Sequence, residues 1–297
     1  MSPPESFTRY YHGDHPKHPK EDPYLASEAL ASAVNAAVAI GRPLLLSGEP
    51  GTGKTSLAES MALQLGLGEV LRFDTHADSR WQDCLYQFDA LRRLYDAQAK
   101  DPRTADRTAY RTFNALGKAL TSTTRRLVLI DEVDKAPRDF PNGLLSAIEG
   151  SLQFTIAETE EHIRFQGDED QRPIIVLTSN EERSLPDAFL RRCVFAHIKT
   201  PEPGELNRIV RARLTRDKQR EGFEALASKA VDRFVSLRRE FGERLEKKPA
   251  TAELLDWISV LSRAGNFAEH FDERQKLPYA EALLKTKRDL ELVLGVS

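Results

Sequence analysis

The sequence predicts an α/β fold: a five-stranded parallel sheet with helices around it, followed by a small all-helical domain. Three observations predict it. Five strand-like runs, at 42–47, 70–74, 126–131, 173–177 and 194–198, alternate with stretches of helical spacing, the pattern that builds a parallel sheet through crossover helices. Three of those runs end in glycine or in polar and acidic residues, as central parallel strands do where their tips open into a ligand crevice. After Pro201-Glu202-Pro203-Gly204, which interrupts the last run, only helical spacings remain.

Taken in order, residues 1–23 are rich in Pro, His, Lys and Tyr and lack periodicity, which predicts an extended, flexible arm. His12, His15 and His18 fall every third residue and invite a metal reading. Four prolines between positions 3 and 19 and the absence of a nearby cysteine favour a polar leader instead. Tyr24 to Gly41 reads as an Ala-rich amphipathic helix. Arg42 to Ser47 is the first buried strand, and it runs into Gly48-Glu49-Pro50-Gly51-Thr52-Gly53-Lys54-Thr55, a full G-x-x-x-x-G-K-[ST] motif. Behind it Leu57, Met61 and Leu65 recur with Ala58 and Ala62 on one helix face. The glycines therefore sit at a strand-to-helix turn, where main-chain N–H groups point at phosphate oxygens and the helix dipole adds to them. Lys54 supplies a cation for the outer phosphates, the Thr55 hydroxyl is a ligand for Mg²⁺, and Gly48 to Ser56 as a whole form the candidate nucleotide-binding segment.

Val70 to Asp74 reads as a strand, Trp81 to Ala99 as one helix with Leu85, Phe88, Leu91 and Leu94 on one side, and Lys100 to Arg111 as a polar surface excursion broken by Pro102. Arg126 to Ile130 then leads into Asp131-Glu132. Paired carboxylates at the tip of a central strand suit Mg²⁺ held through Asp131 and a water polarised by Glu132 for in-line attack on a γ-phosphate. Asp139 to Glu149 is the next helix, stopped by Gly150. Leu152–Ile156 and His162–Phe165 alternate apolar with polar around the acidic turn Glu158-Thr159-Glu160-Glu161, a hairpin signature. Pro173 to Leu177 is followed by Thr178-Ser179-Asn180, and an amide there is placed to bond both a γ-phosphate oxygen and the lytic water, making Asn180 a candidate sensor of nucleotide state. Leu185 to Cys193 is a short helical turn ending in Arg191-Arg192. Guanidinium forks suit phosphate, and one supplied from a neighbouring subunit can stabilise charge developing in the transition state. Glu205 to Arg216, Phe223 to Phe241, Thr251 to Ala264 and Tyr279 to Leu294 complete the chain as four helices.

The order of these motifs resembles an AAA+ ATPase of the P-loop NTPase class, and more narrowly its MoxR-type branch. YLASEALASAVNAAVAIGRPLLLSGEPGTGKTSLAESMA, LIDEVDKAPRDFPNGLLSAIE and LPDAFLRRC carry the resemblance. It implies an ATPase domain over 24–200, a helical lid over 201–297, a hexameric ring with ATP and Mg²⁺ at subunit interfaces, and a chaperone-like role in remodelling or maturing a partner protein, often one with a von Willebrand factor A domain. By motif position Arg192 is similar to the family's trans-acting finger, with Arg191 its nearest rival. In one place the sequence departs from the pattern. Relatives place an arginine in the first turn of a late lid helix, and here Ala252 falls at that position, with Lys248 nearby as a point charge and not a fork. The departure puts coupling of ATP state to lid position in doubt and predicts slow turnover.

Composition bounds the function further. The 297 residues fit one larger and one smaller domain. Forty-three basic against 46 acidic side chains give a net charge of −3, so no positive excess draws in nucleic acid. The acidic hairpin turn, with Asp168-Glu169-Asp170 after it, would repel phosphodiester and argues against a nucleic-acid motor or loader, one of two rival readings. The other rival is a nucleotide-gated scaffold with little turnover, which Glu132 and Arg192 disfavour. Cys84 and Cys193 cannot build a disulfide framework. No apolar stretch approaches ~20 residues and no signal core is evident, which predicts a cytoplasmic protein without a membrane span.

Overall fold

Short runs form the strands, apolar in the central ones: β1 (Leu44–Ser47), β2 (Leu71–Asp74), β3 (Tyr86–Phe88), β4 (Arg111–Phe113), β5 (Leu127–Asp131), β6 (Gln153–Thr155), β7 (His162–Arg164), β8 (Ile174–Ser179) and β9 (Val194–His197). The helices are α1 (Glu28–Ile40), α2 (Lys54–Leu65), α3 (Ala90–Gln98), α4 (Ala115–Leu120), α5 (Asp139–Ile148), α6 (Asp187–Leu190), α7 (Pro203–Arg213), α8 (Phe223–Phe241), α9 (Thr251–Ala264), α10 (Ala280–Leu283) and α11 (Lys287–Leu294). The computed structural model describes residues 11–13, 23–150, 152–214, 217, 222–264 and 277–295.

Five strands form one parallel sheet in the order β2-β5-β8-β1-β9. β1, β5 and β8 are buried along their whole length, which is why they read as unbroken apolar runs and not as alternating ones. Leu57, Ala58, Met61, Ala62 and Leu65 of α2 are all buried, as their spacing predicts. The core of this unit joins Val128, Ile130, Ile175 and Leu177 of the sheet to Leu116 of α4 and to Phe140, Leu144 and Ile148 of α5. β6 and β7 form the antiparallel hairpin expected around the acidic turn, with Phe154 facing Ile163.

The chain divides into two compact units. The sheet unit holds, among the described residues, 11–13, 26–47 and 55–197. The other unit holds α7 to α11 from residue 198 onward together with 23–25 and Gly48–Lys54. The sequence-based division falls between 200 and 201. Within the helical unit Phe223, Leu226, Val231, Phe234, Trp257 and Leu261 form a separate core, which accounts for their 3.6-residue spacing.

Several elements differ from expectation. The helix predicted over Trp81 to Ala99 is a 3₁₀ turn (Trp81–Cys84), then β3, then α3. β3 is claimed by β4, with Tyr86 opposite Phe113 and Phe88 opposite Arg111, and Asp89 starts a new helix by accepting a hydrogen bond from Arg92 N–H at 2.8 Å. Of the supposed inner face, Leu85 is buried while Leu91 and Leu94 of α3 are exposed. The excursion over 100–111 holds two 3₁₀ turns capped by Asp101 and Asp106. α4 was not anticipated. The helix expected over Tyr279 to Leu294 breaks into α10 and α11, where Thr286 caps the second. Of the N-terminal segment 1–23, expected to be extended, residues 11–13 and 23 are described: the Tyr11 ring is fully buried, its hydroxyl lies 2.8 Å from Ser60 Oγ, and its N–H donates to Asn35 Oδ1 at 2.9 Å. His15 and His18 lie outside the described residues. Among the described residues no group of three or more His, Cys, Asp or Glu side chains is arranged to hold a metal ion, and no helix is long and apolar enough to cross a membrane.

Candidate functional site

The C-terminal tips of β5 and β8 bring most of the predicted polar residues of the sheet unit together. Pairing of Ile130 with Leu177 carries the next residues, Asp131 and Thr178, side by side. Thr178 Oγ1 donates to Asp131 Oδ1 and accepts from Glu132 N–H at 2.8 Å. On its other oxygen Asp131 accepts from Thr55 Oγ1 at 3.3 Å and from Arg72 Nη2 at 2.8 Å. Thr55 and Asp131, the two oxygen donors assigned to Mg²⁺, thus lie next to each other, and hard carboxylate and hydroxyl oxygens are the donor set that ion takes. The residues present fit the ion.

Glu132 stands just past the strand with φ of 56°, in the left-handed region. Such backbone costs a non-glycine residue of order 1 kcal/mol, and here it turns the carboxylate out of the strand direction. Asn180 Nδ2 donates to Glu132 Oε1 at 2.8 Å, and Lys135 Nζ to Oε2 at 2.7 Å. The candidate base and the candidate sensor are therefore directly bonded. Asp134, 2% exposed, fixes the turn after β8 by accepting from the N–H groups of Asn180 and Glu182. One strand along from these tips, at the end of β1, Ser47 Oγ donates to Glu181 and lies 2.9 Å from His197 Nδ1.

Arg192 follows α6. Its Nε lies 2.8 Å from Glu149 Oε1 and Nη1 donates to the Ala188 carbonyl at 3.1 Å. Arg191 is exposed, and its carbonyl accepts from Arg42 at 3.5 Å. Neither arginine meets Glu132 or Asp131 through any hydrogen bond or ion pair among the described residues.

The loop Gly48–Lys54 is built into the helical unit. Gly48, Gly51 and Gly53 have φ of 147°, 74° and 95°, conformations that side-chain-bearing residues rarely take. A Cβ on Gly48 would stand 2.4 Å from the Ile198 carbonyl oxygen, and one on Gly51 would stand 2.8 Å from Ala250 Cβ and 3.5 Å from Ala252 Cβ. Ala252, the residue at the expected arginine position, thus borders the loop at Gly51. Lys54 is 7% exposed, and its Nζ donates to the carbonyls of Gly48 at 2.8 Å and Glu49 at 3.0 Å. Thr52 Oγ1 donates to the Glu49 carbonyl at 2.8 Å, Pro50 is exposed, and Ser56 follows half-buried in the first turn of α2. The Glu49 side chain accepts from Arg238 at 2.7 Å and from Thr200 at 3.1 Å. Burial would raise its pKa, but the Arg238 hydrogen bond and charge outweigh that and hold it below the usual carboxylate range.

Arg72, Thr178, Lys135, Asp134 and Arg238 were not anticipated. Thr178 and Lys135 had a local signal, the first two residues before Asn180 at a strand end and the second three residues after Glu132. Arg72, Asp134 and Arg238 depend on lateral neighbours that spacing along the chain does not reveal.

A family model described as "ATPase family associated with various cellular activities (AAA)" matches residues 44–201. No curated protein matches. Among solved structures, that of the Thermotoga maritima RuvB Holliday junction branch migration motor is similar at 18% identity, with 79% of this chain and 67% of that chain covered and a TM-score of 0.42. A proline-to-glycine mutant of the same protein is similar at 16% identity, with 82% and 73% covered and a TM-score of 0.44.

Proposed function

The chain belongs to the ATPase family associated with various cellular activities (AAA), and from that premise we propose that it hydrolyses ATP at the β–γ bond and uses the cycle to remodel a partner protein. The observation that carries the hydrolytic part is the Glu132–Asn180 hydrogen bond of 2.8 Å at the strand tips, with Thr55 and Asp131 3.3 Å apart beside them. Thr55 and Asp131 would hold Mg²⁺, which when bound neutralises phosphate charge. Lys54 exchanges its two carbonyl partners for phosphate oxygens of the nucleotide. Glu132 accepts a proton from the attacking water, and Asn180 gives up Glu132 to bond a γ-phosphate oxygen, so the base is released when triphosphate arrives. Arg192, or Arg191, supplies a guanidinium to the site of an adjacent copy in a ring, for which a hexamer is the expected form.

The MoxR-type assignment, the division of labour between an ATPase domain and a lid, and a partner with a von Willebrand factor A domain belong to this proposal, as does a cytoplasmic setting. A protein target is favoured over DNA by the β6–β7 hairpin, whose tip keeps Glu158 and Glu160 exposed. Its third carboxylate, Glu161, is paired with Arg111 at 2.6 and 2.9 Å.

Phosphate release from Mg-ATP by the purified protein tests the reading. Glu132→Gln is expected to lose release by about 10²-fold or more while keeping ATP binding, and Lys54→Ala to lose both. Release no greater than that of Lys54→Ala overturns the reading. ATP binding with equally negligible release by wild type and Glu132→Gln makes the chain a nucleotide-gated scaffold, and strong stimulation by DNA or RNA with none by protein makes it a nucleic-acid motor.

A further inference from the structure

The helical unit carries an arginine that the chemistry above does not use. Arg238 lies near the C-terminal end of α8, its side chain only 17% exposed. Nη2 donates to Glu49 Oε2 at 2.7 Å and to Thr200 Oγ1 at 3.2 Å. Nη1 donates to the carbonyl of Pro249, two residues before α9, and the guanidinium stands 5.9 Å from the Phe234 ring. Thr200 closes the network by donating to the same Glu49 oxygen at 3.1 Å. One planar fork therefore joins the phosphate loop, the segment entering α7 and the segment entering α9.

The loop end of this network leads straight to the motif lysine. The residue whose carboxylate Arg238 holds is the residue whose carbonyl accepts from Lys54 Nζ at 3.0 Å and from Thr52 Oγ1 at 2.8 Å. Three glycines at positive φ leave this loop intrinsically permissive, so its shape must be imposed from outside, and a loop already in its binding shape pays less ordering entropy when ligand arrives. A bond made only to staple α8 to α9 would need the Pro249 carbonyl and nothing more. The other edge of the guanidinium reaches the loop.

We propose that Arg238 is a positioning residue for the phosphate loop, fixing Glu49 and through it the carbonyls that hold Lys54, and that it links the helical unit to nucleotide in place of an arginine at Ala252. The proposal rests on the reading of Gly48–Thr55 as the triphosphate site. It differs from a lid arginine on the γ-phosphate, because Arg238 acts through Glu49.

Two measurements on the full chain test it. Amide hydrogen exchange without nucleotide is expected to rise at 48–54 in Arg238→Gln and in Glu49→Gln, with the sheet strands unchanged. Equilibrium binding of a fluorescent ATP analogue with Mg²⁺ is expected to weaken about tenfold in each, the worth of one charge-assisted hydrogen bond. The double variant is expected to be no worse than either single one, and Arg238→Lys to recover part of the loss. Exchange at 48–54 equal to wild type, or losses that multiply in the double variant, overturns the proposal. If Arg238→Gln does not fold, Glu49→Gln and Arg238→Lys still decide it. Failure of wild type to bind the analogue sinks the nucleotide reading alone, and the exchange comparison then stands as the test of the tether.

Discussion

At the scale of single residues, the hydroxyl of Thr178 is the hinge of the strand-tip cluster. It donates to Asp131 and accepts from Glu132 N–H, and it is fully buried. Thr178→Val keeps the shape and deletes both bonds, leaving a buried carboxylate oxygen short of a donor and an N–H without an acceptor. Each such orphan costs about 1–3 kcal/mol, so urea denaturation is expected to show a loss within the range of one or two of them, and an unchanged midpoint would mean the cluster has a different keystone. Glu49 offers a pH test at the same scale. Its folded pKa lies below its unfolded one because Arg238 outweighs burial, so the contribution of the tether is complete above the ordinary carboxylate range and is lost as pH falls through the lowered value. Nucleotide affinity measured across that acid range is expected to be flat at first and then to fall, and Glu49→Gln is expected to abolish the step. A step that survives in Glu49→Gln belongs to another group.

At the scale of elements, two neighbouring helices make opposite use of leucine. α3 buries none of its residues, and Leu91, Leu94 and Tyr95 stand 63%, 55% and 64% exposed, whereas Leu116 of α4 is fully buried in the sheet-unit core. Leu91→Ser is expected to change unfolding free energy by no more than about 0.5 kcal/mol, while Leu116→Ala is expected to cost about 2–5 kcal/mol. Similar losses in calorimetry would show that α3 is packed after all. The same pair explains what the sequence made legible. β1, β5 and β8, and helices α5, α8 and α9, declare themselves because burial on both faces writes an unbroken apolar run and burial on one helical stripe writes a local period. β3 and β4 are three residues each, and what makes them strands is a partner far along the chain. The break between α10 and α11 has a local mark, the Thr286 side chain that caps α11 by accepting from Asp289 N–H, but also a non-local one: Asp289, fully buried, accepts from the N–H groups of Glu246 and Lys247, and no helical pattern near 289 reports that. For the candidate site, Lys54, Thr55, Asp131, Glu132 and Asn180 are readable because each lies inside a contiguous motif. Arg72 and Arg238 are not, since the first reaches Asp131 across a sheet ladder and the second reaches Glu49 from a helix nearly two hundred residues away.

At the scale of the whole molecule, the question is whether one chain contains a complete hydrolytic site. Glu132, Asn180, Thr55 and Asp131 are joined by hydrogen bonds in pairs, but Arg192 bonds to Glu149 and Ala188 instead, half exposed, and Arg191 points no guanidinium bond at the cluster. An exposed ion pair such as Arg192–Glu149 is worth little, typically under ~1 kcal/mol, so a neighbouring chain bearing a triphosphate would draw the guanidinium away at small cost. If that is its task, the defect of Arg192→Ala and the defect of Lys54→Ala lie in different copies of the site. Each variant alone is expected to release almost no phosphate: the first binds nucleotide without its finger, and the second carries the finger without binding nucleotide. Mixing them is expected to restore activity, because a Lys54→Ala subunit lends Arg192 to a neighbour whose own phosphate loop is intact. Full activity of Arg192→Ala together with loss in Arg191→Ala would transfer the role to Arg191, and the mixing would then be repeated with that variant. No recovery in either mixture, with both variants folded and assembled, would show that the site is completed within one chain and that neither arginine acts on a neighbour.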